Sequence, residues 1–137
     1  MVIHVADAPR RGVVALDTNA VHDYFAEKSD EGPKAVLIRE MFDTDRVLLP
    51  PAVVTEALSD PRLRPDKADR IRALPLLEIH EGYWQRAGLL RAYVLAQGYR
   101  GFLGDVLIAQ SCIDNRIPLI TYDRDFRRFE SAGLQLL

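Results

Sequence analysis

The sequence predicts an α/β fold with a central, mainly parallel sheet of four to five strands that helices cover on both faces. Short β-rich segments of four to six residues alternate with helical patterns along the chain. The strand segments are largely apolar, as is usual for parallel strands that are buried on both sides. The chain has 137 residues, of which 48% are hydrophobic and 28% charged, so it can form a sizeable core. We therefore expect a single domain over residues 1–137.

The first segments predict a strand and two helices. Residues 13–16 predict the first strand, and the Asp-Thr-Asn triplet at 17–19 is suited to capping the helix that follows. Gly32 and Pro33 then break the chain, and residues 34–43 predict a second helix. The apolar stripe of this helix is expected to comprise Val36, Leu37, Ile38 and Met41.

The middle of the chain predicts a second strand and two further helices. Residues 46–49 predict the strand, and Pro50 and Pro51 end it. A proline in the first turn suits the start of a helix, and this helix would carry Glu56. A basic helix is expected over residues 65–74.

The following segments predict a short strand and the two longest helices. Residues 76–79 predict the strand, and a helical stripe with Gly98 as its stop follows. Asp105 is expected to cap the next helix, which runs to about Asn115. The stripe of the first of these helices comprises Tyr83, Ala87, Leu90 and Val94.

The C-terminal segments complete the predicted sheet. Residues 117–122 predict a buried strand, 125–129 a helical turn and 134–137 a last edge strand. At the other end of the chain, residues 1–11 precede the first predicted strand and can add another edge strand.

The charge of the chain excludes some functions and leaves others open. A net charge of −2 and a pI of about 5.9 argue against a module that binds nucleic acid by phosphate attraction alone. The net charge does not exclude a nuclease, because bound divalent cations would themselves contact the phosphate. Two basic clusters are more typical of solvated faces than of binding sites. They comprise Arg62, Arg64, Lys67, Arg70 and Arg72, and Arg124, Arg127 and Arg128.

Other patterns concern the location of the chain and its one thiol. No apolar run approaches the ~18 residues that a membrane-spanning helix needs, and the N-terminal segment lacks the pattern of a secretory signal. A cytoplasmic location is therefore expected. Cys112 has no second cysteine to pair with, and its apolar neighbours favour a buried, inert thiol.

Four acidic residues stand at the ends of apolar segments: Asp17, Glu56, Asp105 and Asp123. Carboxylates beside a dry core cost free energy unless they are paired or bind a cation. Ligands of open α/β sheets bind at the carboxyl ends of the strands, where these acids can converge. Acidic oxygen ligands without a histidine or cysteine set favour Mg²⁺ or Mn²⁺. A metal-dependent hydrolase is the first hypothesis.

Each acid also has a simpler explanation. Asp17 and Asp105 fit the role of helix caps, each contributing about 1 kcal/mol. Glu56 fits a solvent-facing position on its helix, and Asp123 fits a turn, where Asp125 competes with it for any catalytic role. Three polar residues fit local caps and also lie where they can orient a carboxylate or a water. They are Thr18, Asn19 and Thr121.

Four segments form a set: 16–19 (Leu-Asp-Thr-Asn), 50–56 (Pro-Pro-Ala-Val-Val-Thr-Glu), 104–109 (Gly-Asp-Val-Leu-Ile-Ala) and 119–126 (Leu-Ile-Thr-Tyr-Asp-Arg-Asp-Phe). Together they resemble the four blocks of a PIN domain, and the last block is the most specific. The resemblance covers nearly the whole chain and is closest to the single-domain VapC-type toxins of toxin-antitoxin pairs. The chain departs from the pattern in its extension at 1–11 and in Gln110-Ser111-Cys112, where an alanine-rich stretch is common.

The resemblance implies a three-layer α/β/α sandwich and a Mg²⁺- or Mn²⁺-dependent endoribonuclease that cuts single-stranded or loop regions of RNA. It further implies a homodimer and a VapB-like antitoxin whose C-terminal segment blocks the cleft. The metal-binding acids that it implies are Asp17, Glu56, Asp105 and Asp123, with Asn19 and Thr121 in support and Thr18 and Asp125 beside them.

Four alternatives stay open at this point. A nuclease of RNA processing without a toxin role has the same blocks. A signalling receiver domain needs a lysine after a late strand, whereas the lysines here are Lys28, Lys34 and Lys67. A Toprim-like site would use Glu56 with Asp123 and Asp125 but leaves Asp17 and Asp105 unexplained. A non-catalytic interaction module is the reading to adopt if the acids prove dispersed.

Overall fold

A three-stranded parallel sheet forms the centre of the structure, a computed structural model that describes residues 12–26 and 32–137. The predicted extension at 1–11, with its edge strand, lies outside the described residues. The strands follow the order β2-β1-β3, so β1 is central. They are β1 (Val14–Leu16), β2 (Val47–Leu48) and β3 (Leu119–Ile120).

The sheet is covered on both faces. Every residue of the three strands is buried, with no more than 3% of its surface exposed. Because successive strand residues point to opposite sides of a sheet, this burial requires packed layers above and below. The α/β/α layering and the parallel pairing are therefore confirmed.

The number of strands is smaller than the predicted four to five. Residues 76–79 and 134–137 are not strands; each touches the sheet through one parallel bridge, Leu76 to Leu49 and Leu136 to Leu119. A single residue pair does not extend into a ladder, and Pro75, before the first bridge, has no N–H to donate. The strand predicted at 117–122 is likewise limited to β3.

The first four helices are α1 (Thr18–Phe25), α2 (Pro33–Asp43), α3 (Pro51–Leu58) and α4 (Pro65–Arg72). Three of them begin with proline, whose fixed φ and missing N–H suit the first helical position. The predicted stripe of α2 is wrong at Val36, which is 50% exposed. The buried face of α2 repeats at spacings of three, through Ala35, Ile38 and Met41, and Val36 lies one position off that face.

The remaining helices are α5 (Tyr83–Ala96), α6 (Leu103–Asn115) and a 3₁₀ helix (Arg124–Ala132). The buried residues of α5 are the four that the stripe predicts. Helix α6 begins earlier than expected: Phe102 is its N-cap, and Asp105 lies in the first turn rather than at the cap. Helix α6 packs against α5 and α3, and α3 packs against α1. Within the part of the chain that the structure describes, no helix has the length and apolar character needed to cross a membrane.

Candidate active site

Asp17 lies where β1 passes into α1 and is only 2% exposed. Its Oδ1 accepts the backbone N–H of Ala20 at 2.9 Å, so it is the N-cap of α1. Its Oδ2 accepts the hydroxyl of Thr121, which lies just beyond β3. Asp17 therefore caps α1 with one carboxylate oxygen and bonds to the end of β3 with the other.

Thr121 connects two of the predicted acids. Its hydroxyl donates to Asp17 and accepts the backbone N–H of Asp123 at 3.0 Å. Asp123 is half-buried and caps the 3₁₀ helix, where its Oδ1 accepts the N–H of Asp125 at 2.8 Å. One buried hydroxyl at the end of β3 thus fixes Asp17 and the backbone of Asp123 relative to each other.

Glu56 reaches the same region from α3. Its Oε1 accepts the hydroxyl of Thr18 at 2.7 Å. Its carboxylate lies against Gly104, in the first turn of α6: a Cβ at Gly104 would stand 2.9 Å from Oε2. Glu56 is therefore next to the turn that carries Asp105.

The charges of the four acids act on one another. Burial raises the pKa of Asp17, although the hydrogen bonds from Thr121 and Ala20 oppose this, and the carboxylates of Asp123 and Glu56 raise it further. Burial is also the main reason that the pKa of Asp105 is raised to about 6, and the other three acids add to it. The structure thus brings the four predicted acids within electrostatic reach.

The supporting residues differ in position. Thr18 and Thr121 contact acids directly, whereas Asn19 is exposed on α1. Asp125 is exposed and pairs with Arg128 at 3.2 Å. Its charge raises the pKa of Asp105 less than the charges of the other three acids do.

The donor atoms suit a hard divalent cation. The four acids offer only carboxylate oxygens, the ligands that Mg²⁺ and Mn²⁺ prefer. Among the described residues, however, no three acidic, histidine or cysteine side chains are gathered as a ready metal-ligand group. Ligation by these acids would therefore require their side chains to approach one another, and a cation would offset the repulsion that now opposes this.

Sequence reasoning missed Lys34. From the first turn of α2, its Nζ donates to the backbone carbonyl of Thr121 at 2.6 Å and lies 5.6 Å from the ring centroid of Tyr122. A lysine at the start of a helix opposes the helix dipole, and this is the one local signal of a special role. No motif joins two positions that are 87 residues apart.

The comparisons with known proteins agree with this architecture. The family model of the PIN domain matches residues 14–131. No curated protein gives a significant match. The structure of VapBC2 from Rickettsia felis, bound to a DNA fragment from their promoter, superposes with a TM-score of 0.69 at 18% identity, covering 91% of this chain and 97% of that one. The structure of FitAB bound to an IR36 DNA fragment gives a TM-score of 0.65 at 17% identity, covering 91% and 94%. At these identities the two likenesses show a shared fold.

Proposed function

The chain belongs to the PIN domain family, and from this premise we propose that it is a metal-dependent endoribonuclease that hydrolyses phosphodiester bonds of RNA. The observation that carries the proposal is that four carboxylates from four separate segments lie within electrostatic reach of one another and, together with burial, raise the pKa of Asp17 and Asp105. Such perturbed groups are typical of functional sites. The electrostatic coupling of the acids supports a catalytic site over a non-catalytic interaction module.

We assign the metal-binding role to Asp17, Glu56, Asp105 and Asp123. When bound, Mg²⁺ or Mn²⁺ supplies Lewis-acid activation of water and of the phosphate group. Hydrogen bonds within the chain orient the acids: the Thr121 hydroxyl holds Asp17. The Thr18 hydroxyl holds Glu56. These hydrogen bonds restrict the orientations of two of the four carboxylates, as supporting contacts behind metal ligands typically do.

We further propose that the chain is the toxin of a toxin-antitoxin pair, with a VapB-like antitoxin and a second copy of itself as partners. The shared fold with the VapBC2 and FitAB structures supports this assignment. Helix α5 and the segment that leads into α6 also expose large apolar side chains, which a partner protein can cover. They are Trp84, Leu89, Tyr93, Leu95, Tyr99, Phe102 and Leu103.

Cleavage of a single-stranded RNA by the purified chain tests the proposal. We expect cleavage with Mg²⁺ or Mn²⁺, none with a chelator, and a loss of at least about 100-fold in Asp17→Asn and Asp105→Asn. Asp66→Asn is the matched control, because Asp66 is an exposed aspartate of α4 that pairs with Arg64 at 3.2 Å. Wild-type rates in both folded site variants would refute the assignment.

A further inference from the structure

Lys34 links helix α2 to the active site through the backbone. We propose that Lys34 is a positioning residue. By donating to the carbonyl of Thr121, it holds the end of β3 so that the Thr121 hydroxyl can bond to Asp17 and Asp123 at the same time. The inference rests on the proposed function, and it assigns a role to a residue that does not itself belong to the acid cluster.

The contact between Lys34 and Thr121 is short and charge-assisted. The ammonium donates to the carbonyl oxygen at 2.6 Å, and hydrogen bonds from a charged donor are stronger than neutral ones. The side chain is half-buried beside the ring of Tyr122. The main-chain carbonyl of Thr121 thus accepts the hydrogen bond from Lys34, and the hydroxyl of the same residue contacts two acids.

The local sequence disfavours a lysine at this position. Pro33 is the first helical residue of α2 and Lys34 the second, so the ammonium lies near the positive end of the helix dipole. Helix α2 also lacks a side-chain cap, so an acidic or capping residue would stabilise its start better. Residues that are unfavourable for their local structure are expected where the side chain has a role in a functional site.

Movement of the Thr121 peptide would disturb two acids at once. The hydroxyl of Thr121 moves with its backbone, and it accepts the backbone N–H of Asp123 two residues later. Without the Lys34 contact, the end of β3 loses one charge-assisted hydrogen bond to α2. Supporting hydrogen bonds behind metal ligands typically affect metal affinity or activity by about 10–100-fold.

The test compares Lys34→Met, which keeps an unbranched side chain but removes the donor, with Lys34→Arg, which can still donate to the carbonyl. Lys67→Met is the control for the loss of one lysine charge. Calorimetric titration with Mn²⁺ in the absence of RNA measures metal affinity, and steady-state cleavage separates kcat from KM. We expect Lys34→Met to lose about 10–100-fold in Mn²⁺ affinity and in kcat with little change in KM. Lys34→Arg should recover most of the loss, and Lys67→Met should match the wild type.

Two results would overturn the inference. One is wild-type Mn²⁺ affinity in folded Lys34→Met, or in Lys34→Gln should the methionine variant not fold. The other is a higher KM with unchanged kcat, which would make Lys34 a contact of the RNA itself. If the wild type neither binds Mn²⁺ nor cleaves RNA, the proposed function fails instead, so the two failures are distinguishable.

Discussion

Replacing Asp105 by asparagine should stabilise the metal-free protein near neutral pH. In the folded state, burial and the neighbouring carboxylates raise the pKa of Asp105 from 3.8 to about 6. A carboxyl group with a raised folded pKa favours folding below pH 3.8, and that contribution is lost as the pH rises through about 6. At pH 7.5 the ionised Asp105 therefore destabilises the fold, and Asp105→Asn removes this charge.

The size of the effect follows from the pKa. Moving a carboxyl pKa from 3.8 to about 6 corresponds to about 3 kcal/mol, which solvent screening of a half-buried group reduces to roughly 1–1.5 kcal/mol. For a domain of this length, such a gain raises Tm by roughly 3–6 °C. At pH 4 the gain should largely vanish, because most of the wild-type Asp105 is then protonated in the folded protein.

Urea unfolding and thermal melts at pH 7.5 and pH 4, both with a chelator, measure this gain. Asp66→Asn is the control, since the neighbouring Arg64 holds the pKa of that exposed carboxyl below its usual value, and its removal should give no gain. With Mg²⁺ present, the wild type should recover stability that Asp105→Asn does not, because ligands stabilise the state that binds them. An asparagine variant no more stable than the wild type at pH 7.5, or equally stabilised at pH 4, would refute the electrostatic reasoning.

Three further predictions concern packing around the site. Gly104→Ala should lower RNA cleavage but leave the protein folded, because its Cβ would stand 2.9 Å from the glutamate carboxylate of α3. Gly88→Ala is the control, because a Cβ added at Gly88 would have no neighbouring atom within 4 Å. This variant should keep full activity, and its free energy of unfolding, measured with urea, should rise by about 0.5–1 kcal/mol. Equal activities in Gly104→Ala and Gly88→Ala would contradict this account. Burial raises the pKa of the Cys112 thiol, so a thiol reagent such as DTNB should react only after unfolding, and fast labelling of the native protein would be the contrary result. Thr121→Val should lower the free energy of unfolding at pH 7.5 by about 1.5–3 kcal/mol, because the buried Asp17 carboxylate loses a hydrogen-bond donor. Thr121→Ser should retain stability, and a valine variant as stable as the wild type would contradict the prediction.

Features with a local physical cause were predictable from the sequence. Asp17 caps α1 because its side chain and the N–H of Ala20 are neighbours along the chain. Prolines mark the starts of α2, α3 and α4, and the stripe of α5 repeats at the helical period. The four acids were recognisable because a charge at the end of a buried segment is unusual and because the segments resemble those of a known family.

Features that depend on distant parts of the chain were not predictable in the same way. The segments 76–79 and 134–137 have strand-like composition, yet the sheet offers each of them only one bridge. Phe102, the N-cap of α6, carries no capping group and gave no signal of the early start of that helix. The contact between Lys34 and Thr121 exists only once α2 and β3 lie side by side.

The hydrogen bond between Thr121 and Asp17 also bears on when the site can form during synthesis. It joins the end of β1 to the end of β3 across 104 positions of the chain. A nascent chain therefore contains Asp17 well before the partner that orients it, because residue 121 leaves the ribosome much later. The site can assemble only when the chain through residue 121 is available, so translation products that stop before this residue lack the assembled site.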